Sequence, residues 1–419
     1  MRAIFGDFWI IVSAALVYVG LLSNSTVLLA LAVLVFGAGG VSRLWARVAL
    51  EEVLYRRDLS ETRTFVGEMI ELDVHLSNEK FIPVPWVEVR ELVPQEMIVL
   101  DGHTRASGMP RLSALFRNTS LRRHEKLKWP LQLFTTKRGY FHIGPTKLRS
   151  GDLFGFFPAE REFVKRDAIT VYPKTYPLPE LGLKSARPFG ERAGGKRIFE
   201  DPMRVIGVRD YAQGDPLKRV DWKATARLGR LQSRLYEPSH EQSVIVALNI
   251  TTMEHTWEGF DPVLLERSVS VAASVARGVL EQNSAVGLVV NGSYPEADRP
   301  LRLPSNRRPD QLSDILGMLA MVQPVIPSRL SEELESHEHT LPAGATIVVV
   351  AALMPDDLVA TLQRLRSEGY ALHVVKTTEE HWEADLKPIP VSDVSLVMRD
   401  LEEAEAELAP EKPPEAVRG

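Results

Sequence analysis

The chain has no cysteine among its 419 residues. That absence excludes a disulfide framework, a thiolate zinc site and cysteine nucleophilic catalysis, and it fits a reducing compartment. Three catalytic patterns are also missing: a GxxxxGK[ST] phosphate loop, a GxSxG nucleophile elbow and a helical HExxH pair. ATP hydrolysis by a P-loop, serine hydrolase chemistry and zincin chemistry therefore have no support. No strong charge of one sign is present either, the net charge being -5. Hydrophobic residues at 45% and charged residues at 25% are those of folded protein, which argues against global disorder and against a chain wholly embedded in a membrane. At about 150 residues per domain, two or three domains are expected.

What is present begins with two apolar runs. Ile4 to Leu22 is interrupted by Gly6, Asp7 and Ser13, and Val27 to Val41 follows after Asn24-Ser25. A helix needs about 20 apolar residues to cross the hydrocarbon layer, so each run spans if the turn reaches the interface. A cleaved signal peptide has one such run, not two in succession. Arg2 precedes the pair and Arg43, Arg47, Arg56 and Arg57 follow it, whereas the turn is uncharged. The positive-inside rule then places both ends in the cytoplasm. The expectation is a two-helix transmembrane hairpin, residues 1–45, at the cell membrane with a cytoplasmic body. Arg43 to Arg57 reads as a short juxtamembrane helix.

The period next changes to two. Ile70, Leu72, Val74 and Leu76 alternate with polar residues, as do Leu127, Trp129, Leu131 and Leu133, with Val87 and Val89 between and prolines and glycines punctuating. This predicts an antiparallel β-sandwich over residues 46–175. Residues 176–240, rich in Pro, Gly and Arg at their start, read as an extended connector. From 241 to 395 apolar strands alternate with amphipathic helices: Ser243–Ile250, Ala285–Asn291, Thr346–Leu353 and Ala371–Lys376 as strands, Pro262–Gln282, Asp310–Val322 and Asp356–Ser367 as helices. That grammar predicts an α/β domain with a mainly parallel sheet. Residues 396–419 form an acidic tail expected to be disordered beyond its first turns.

The most unusual stretch is RDYAQGDPLKRVDWKATARLGRLQSRLYE, Arg209 to Glu237. Between Lys196 and Arg234 there are ten Lys/Arg against five Asp/Glu, net +5 in an acidic chain. Tyr211 and Trp222 offer flat faces for guanidinium stacking, and Gly214-Asp215-Pro216 is a turn that presents a carboxylate. Such a segment is either a docking surface or a network in which Arg209, Asp215, Asp221 and Arg227 pair with one another. Nucleic-acid binding is disfavoured, because the interleaved aspartates repel phosphate.

These residues carry a resemblance. Arg209, Tyr211, Gly214, Asp215, Arg219, Asp221, Trp222, Lys223, Ala224, Ala226 and Arg227 match the signature of the bacterial family called domain of unknown function 58. Lys218 and Val220 are conservative departures. Similarity also runs through Asp152-Leu153-Phe154-Gly155-Phe156-Phe157, Val171-Tyr172-Pro173 and Phe199 to Arg204. The resemblance implies that the α/β domain is von Willebrand A-like, and it implies a partner, a MoxR-type AAA+ ATPase. Other von Willebrand A-domain or transglutaminase-like membrane proteins are further possible partners. The signature residues Arg209, Tyr211, Gly214, Asp215, Arg219, Asp221, Trp222, Lys223 and Arg227 become the candidate binding site. Metal-binding A-type domains carry Asp-x-Ser-x-Ser after the first strand, where this chain has Asn249, Thr251 and Met253. A missing carboxylate and a thioether suit a hard cation poorly, so no metal and no cofactor are expected. His337-Glu338-His339 has no third ligand in view and reads as surface. The functional expectation is a membrane-anchored adaptor, with an enzyme acting on envelope or protein substrates and an anionic-ligand or nucleic-acid binder as the rival classes.

Overall fold

A computed structural model describes residues 8–183, 199–212, 219–239, 243–254, 259–293, 301–336, 341–342 and 344–408. Contacts divide the chain into two units, Pro173 ending the first and Lys174 opening the second.

The first unit opens with helices α1 (Phe8–Leu22) and α2 (Thr26–Val48), joined by a tight turn with Asn24 at φ 45°. Small residues let them approach: Ser13, Gly20 and Ala32 are buried, and the Trp9 indole fills the space a Cβ on Gly39 would need. The Trp9 and Phe36 ring centroids lie 5.3 Å apart. The outward leucines, valines and isoleucines stay exposed. α2 is long and apolar enough to cross a membrane, while α1 is shorter.

No separate juxtamembrane helix follows. α2 runs on to Val48 and the chain then enters strand β1 (Val53–Leu59). The reason lies in alternation: Val53 and Arg57 are buried while Leu54 and Arg56 face out, a two-residue period that a helix cannot satisfy. Arg57 is accordingly no membrane-flanking charge but a core residue. Lys80 secures the junction. Its ammonium donates to the carbonyls of Val48, Ala49 and Glu51 at 2.7, 2.5 and 2.8 Å, capping the end of α2 where carbonyls lack helical partners.

The rest of the first unit is β-rich. Its further strands are β2 (Arg63–Phe65), β3 (Met69–Asn78), β4 (Val84–Pro94), β5 (Met97–Val99), β6 (Thr104–Ala106), β7 (Leu112–Leu121), β8 (Lys126–Thr135), β9 (Gly139–Ile143), β10 (Thr146–Gly151), β11 (Pro158–Phe163) and β12 (Asp167–Tyr172). They form sheets ordered β1-β3-β8-β5, β11-β10-β4-β7-β6 and β2-β12-β9. The alternation seen in the sequence becomes one buried face. Ile70, Leu72 and Val74 of β3 and Leu131 and Leu133 of β8 share a core with Val93, Leu115, Ile143 and Ile169 from the other two sheets.

In the second unit, residues expected as an extended connector instead contain a two-stranded antiparallel sheet, β13 (Phe199–Asp210) with β14 (Gln232–Ser239), and a short helix between them, α3 (Trp222–Leu228). Beyond it come β15 (Ser243–Asn249), α4 (Pro262–Glu281), β16 (Ala285–Val290), β17 (Leu301–Asn306), α5 (Gln311–Met321), α6 (Leu330–Ser336), β18 (Thr346–Ala351), α7 (Asp356–Ser367), β19 (Ala371–Lys376), β20 (Val391–Asp393) and α8 (Ser395–Leu408). The sheet order is β17-β16-β15-β18-β19-β20. All neighbours are parallel except β17, which runs antiparallel at one edge. Strands buried on both faces explain the continuous apolar runs.

The first turns of the acidic segment are helical, α8 running through Leu408, and the residues after it lie outside the described ones. Its acidic residues are used: Glu402 holds Arg267, and Glu405 receives the Tyr176 hydroxyl and the Lys174 ammonium.

His373 on β19 is buried against the Ser392 hydroxyl at 3.0 Å, and burial lowers its pKa. A depressed folded value means that the unfolded chain binds the proton first. Stability from this site is therefore complete above about pH 6.5 and lost as pH falls toward the folded value. Melting curves from pH 7.5 down to 5 should show a decline that His373→Gln flattens. Parallel curves for the two proteins would dismiss the assignment.

Candidate functional site

The signature residues fall on the β13–β14 hairpin. Asp221 is the N-cap of α3: its Oδ1 accepts from the backbone N–H of Lys223 at 3.1 Å and of Ala224 at 3.0 Å. Its Oδ2 meets Arg234 Nε at 3.2 Å. The Ala224 N–H foremost, then Arg234, hold this carboxyl below its usual range. Gly229, at φ 68°, closes the helix by donating to the Thr225 carbonyl, a left-handed position that favours glycine. A helix of 7 residues has too few turns to persist alone. It is pinned to β14 by Asp221 N–H to the Gln232 carbonyl, 2.8 Å, and by Gln232 N–H to Thr225 Oγ1, 3.0 Å.

Of the four charges expected to pair with one another, Asp215 lies outside the described residues, and Asp221 pairs with a residue beyond the four. Asp221 takes Arg234 rather than Arg209 or Arg227, and Arg227 is exposed on the helix. A second anchor was missed altogether: Asp210 accepts from Gln232 Nε2 at 2.6 Å and pairs with Arg230 at 3.2 Å. Strand register brings these together, since Asp210 faces Gln232 and Val208 faces Arg234 across the hairpin. Sequence spacing alone gives no such signal. Tyr211 donates its backbone N–H to Leu231 O. Val220 is buried and bridges Ser233, and Arg219 beside it is half-buried. Arg209 and Lys223 are exposed, and Gly214 and Asp215 lie outside the described residues. The outward face of the hairpin is apolar and cationic at once. Trp222 is 66% exposed, with Leu228 and Leu231 exposed near Lys223 and Arg227.

The second candidate lies at the carboxyl ends of the parallel strands. Successive strands are added first to one side of β15 and then to the other, and such a reversal is where open α/β sheets form their crevice. Asn249 ends β15 there. Its Nδ2 donates to the Leu353 carbonyl at 3.0 Å, and its Oδ1 accepts from Thr251 N–H at 3.1 Å and Asn291 Nδ2 at 3.0 Å. Asn291 Oδ1 in turn accepts from Ile250 N–H at 2.8 Å. An amide can donate and accept together, which a carboxylate cannot. Asn249 thus ties three loops together with both side-chain atoms engaged. Thr251 and Met253 are half-buried beside it, and among the described residues no group of three or more His, Asp or Glu could hold a metal. His337-Glu338-His339 lies outside the described residues.

Residues 207–393 match the family model described as protein of unknown function DUF58. A curated relative is the uncharacterized protein YeaD of Bacillus subtilis (strain 168), 23% identical over 239 residues. The match takes in 56% of this chain and 55% of the relative, so it spans about half of that protein. Among solved structures, the CARDB domain of a Pyrococcus furiosus protein shares 16% identity and a TM-score of 0.18, covering 29% of this chain and 94% of that one. A type II cohesin domain from the cellulosome of Acetivibrio cellulolyticus shares 10% identity and a TM-score of 0.20, covering 28% and 94%. Likeness at that level carries no argument about this chain.

Proposed function

We propose that the protein is a membrane-tethered adaptor. α1 and α2 form a transmembrane hairpin with both ends cytoplasmic, the β-rich unit is a sandwich, and the parallel sheet is a metal-free von Willebrand A-like scaffold. The hairpin that carries α3 docks a MoxR-type AAA+ ATPase. The A-like reading is supported by the sheet order, with one antiparallel edge, and by Asn249 at the strand-order reversal. The docking reading rests on one observation: Trp222 is 66% exposed on a helix whose cap, Asp221, is fixed. A large exposed aromatic beside cations is the residue type that anchors interfaces.

The test separates the cap from the face. Trp222→Ala, made in the detergent-solubilised chain, should keep the wild-type melting curve and lose co-purification of the ATPase by tenfold or more, the loss of a hot-spot residue of about 2 kcal/mol. Asp221→Ala should lower both stability and binding. Undiminished capture by Trp222→Ala would remove the docking role and leave the hairpin as a brace.

A further inference from the structure

A second apolar feature lies in the first unit, at the β10–β11 turn. Leu153, Phe154 and Phe156 are 63%, 69% and 71% exposed, and the two phenyl rings stack with centroids 5.7 Å apart. The turn is built to hold them out. Asp152, itself buried, accepts from the N–H groups of Phe154 at 3.1 Å and Phe157 at 2.8 Å. Trp86 Nε1 donates to the Asp152 carbonyl at 2.9 Å, and Gly155 takes φ 74°. Close by in sequence to Trp86, Phe81 is 69% exposed and Ile82 partly so, with Arg123 lying 5.3 Å over the Phe81 ring.

All of this is at the end of the unit where α2 arrives. α2 packs against β10 and β11. Lys80, next to Phe81, caps its last carbonyls. Arg161 donates to the carbonyls of Leu50 and Val53. It pairs with Leu148, three residues in from the base pair Gly151–Pro158, or about 10 Å from the base of the turn at 3.3 Å per residue.

We propose that the Leu153–Phe157 turn, with Phe81 and Ile82, inserts into the interface of the same bilayer that receives α1 and α2, as a second, monotopic contact that fixes the tilt of the β-rich unit on the membrane. The occupant follows from continuity and charge. The patch lies at the end of the unit that α2 enters, Arg123 covers the Phe81 ring and Arg47 stands in the last turn of α2, an arrangement that suits acyl chains below and anionic headgroups around. Phenylalanines fixed in a stacked pair lose little further freedom on insertion, and Phe and Leu are among the side chains that interfacial segments bury at the headgroup–acyl boundary.

The inference rests on the membrane-anchor reading, and its test keeps the two apart. The cysteine-free chain permits single labels at Phe154→Cys, Phe156→Cys, Leu34→Cys on α2 and Met109→Cys at the opposite end of β4. Each full-length variant carries an NBD fluorophore and is reconstituted in phosphatidylethanolamine–phosphatidylglycerol vesicles containing doxyl-labelled lipid. Labels at 34, 154 and 156 should shift to the blue and be quenched by the doxyl lipid, those at 154 and 156 from a shallower depth, while 109 reports water. Quenching at 34 with 154 and 156 indistinguishable from 109 overturns this proposal and leaves the anchor intact. No quenching at 34 overturns both. A blue shift at 154 that disappears when the protein is diluted into more lipid assigns the turn to a second copy of the chain, and also overturns it.

Discussion

Exchanging Arg57 for methionine should destabilise the β-rich unit by about 3 to 5 kcal/mol, because it leaves a buried carboxylate without its counter-charge. Arg57 Nη1 meets Glu91 at 2.8 Å and Nη2 meets Asp167 at 2.9 Å, with side-chain exposures of 3%, 2% and 16% respectively. Nη2 also donates to the Lys165 carbonyl at 2.5 Å. Gly144 makes room for the guanidinium: it sits at φ 96°, and a Cβ there would stand 2.5 Å from Nη1. Burial pushes the Glu91 carboxyl up, and Arg57 is what draws it back. Asp167 keeps Lys165 as a partner at 3.1 Å, so Glu91 bears most of the loss.

A pH signature distinguishes this mechanism from mere loss of packing. Without Arg57 the folded pKa of Glu91 rises further above the unfolded value of about 4.3. A raised folded value gives stability that is complete below the unfolded pKa and lost as pH rises through the folded one. The Arg57→Met protein should therefore lose melting temperature between mildly acidic and neutral pH more steeply than wild type. Arg57→Met/Glu91→Met should recover much of the deficit, since apolar replacements of a buried pair are often neutral. Single variants within about 1 kcal/mol of wild type in denaturant titrations, the level of an exposed pair, would show that solvent reaches the site.

Glu402→Ala should produce the second largest effect, in the other unit. Arg267, 7% exposed, makes a two-pronged contact with Glu402, Nε to Oε1 at 3.0 Å and Nη2 to Oε2 at 2.7 Å, and donates to the Thr377 carbonyl. Glu402 is 30% exposed, so the expected cost is about 2 to 4 kcal/mol, somewhat below that of a fully enclosed pair. For a unit of this size that corresponds to roughly 4 to 16 °C of melting temperature. Replacing both Arg267 and Glu402 with alanine measures the coupling, and single effects that simply add would mean that the pair contributes no interaction energy. Truncation after Val394 should match or exceed Glu402→Ala, because it also removes Glu405 from Tyr176 and Lys174. A truncated chain with an unchanged melting curve would restore the reading of the acidic segment as a solvated tail.

Much of the architecture was legible in the sequence wherever periodicity and burial coincide. Ile70, Leu72, Val74 and Leu76 announced their strand by alternation, and Ser243–Asn249, Ala285–Val290 and Thr346–Ala351 did so as unbroken apolar runs, because a strand covered on both faces admits little else. Pro262 after Asp261 likewise marked the start of α4, where the carboxylate accepts from Val263 and Leu264. Asp221 before Trp222 and Gly229 after Leu228 are the same signals for α3, hidden in a segment judged by its charge.

What only the tertiary structure decided concerns the charged residues, for a physical reason. Hydrophobic period is a local property, whereas the partner of a charge is set by whatever the fold brings within about 4 Å of it. Arg57 looked like a membrane-flanking cation until β4 and β12 placed Glu91 and Asp167 against it. Glu402 and Glu405 looked like a solvated tail until α8 returned them to Arg267 and Tyr176, residues far behind them in the chain. Asp221 found Arg234 because the Val220–Ser233 bridge lays its segment against β14, not through sequence proximity to Arg227. Composition and periodicity determined the long apolar helix, the alternating strands and the strand–helix grammar of the parallel sheet, but not β1 or the β13–α3–β14 segment; which charges hold the fold was fixed only by contacts between residues distant in sequence.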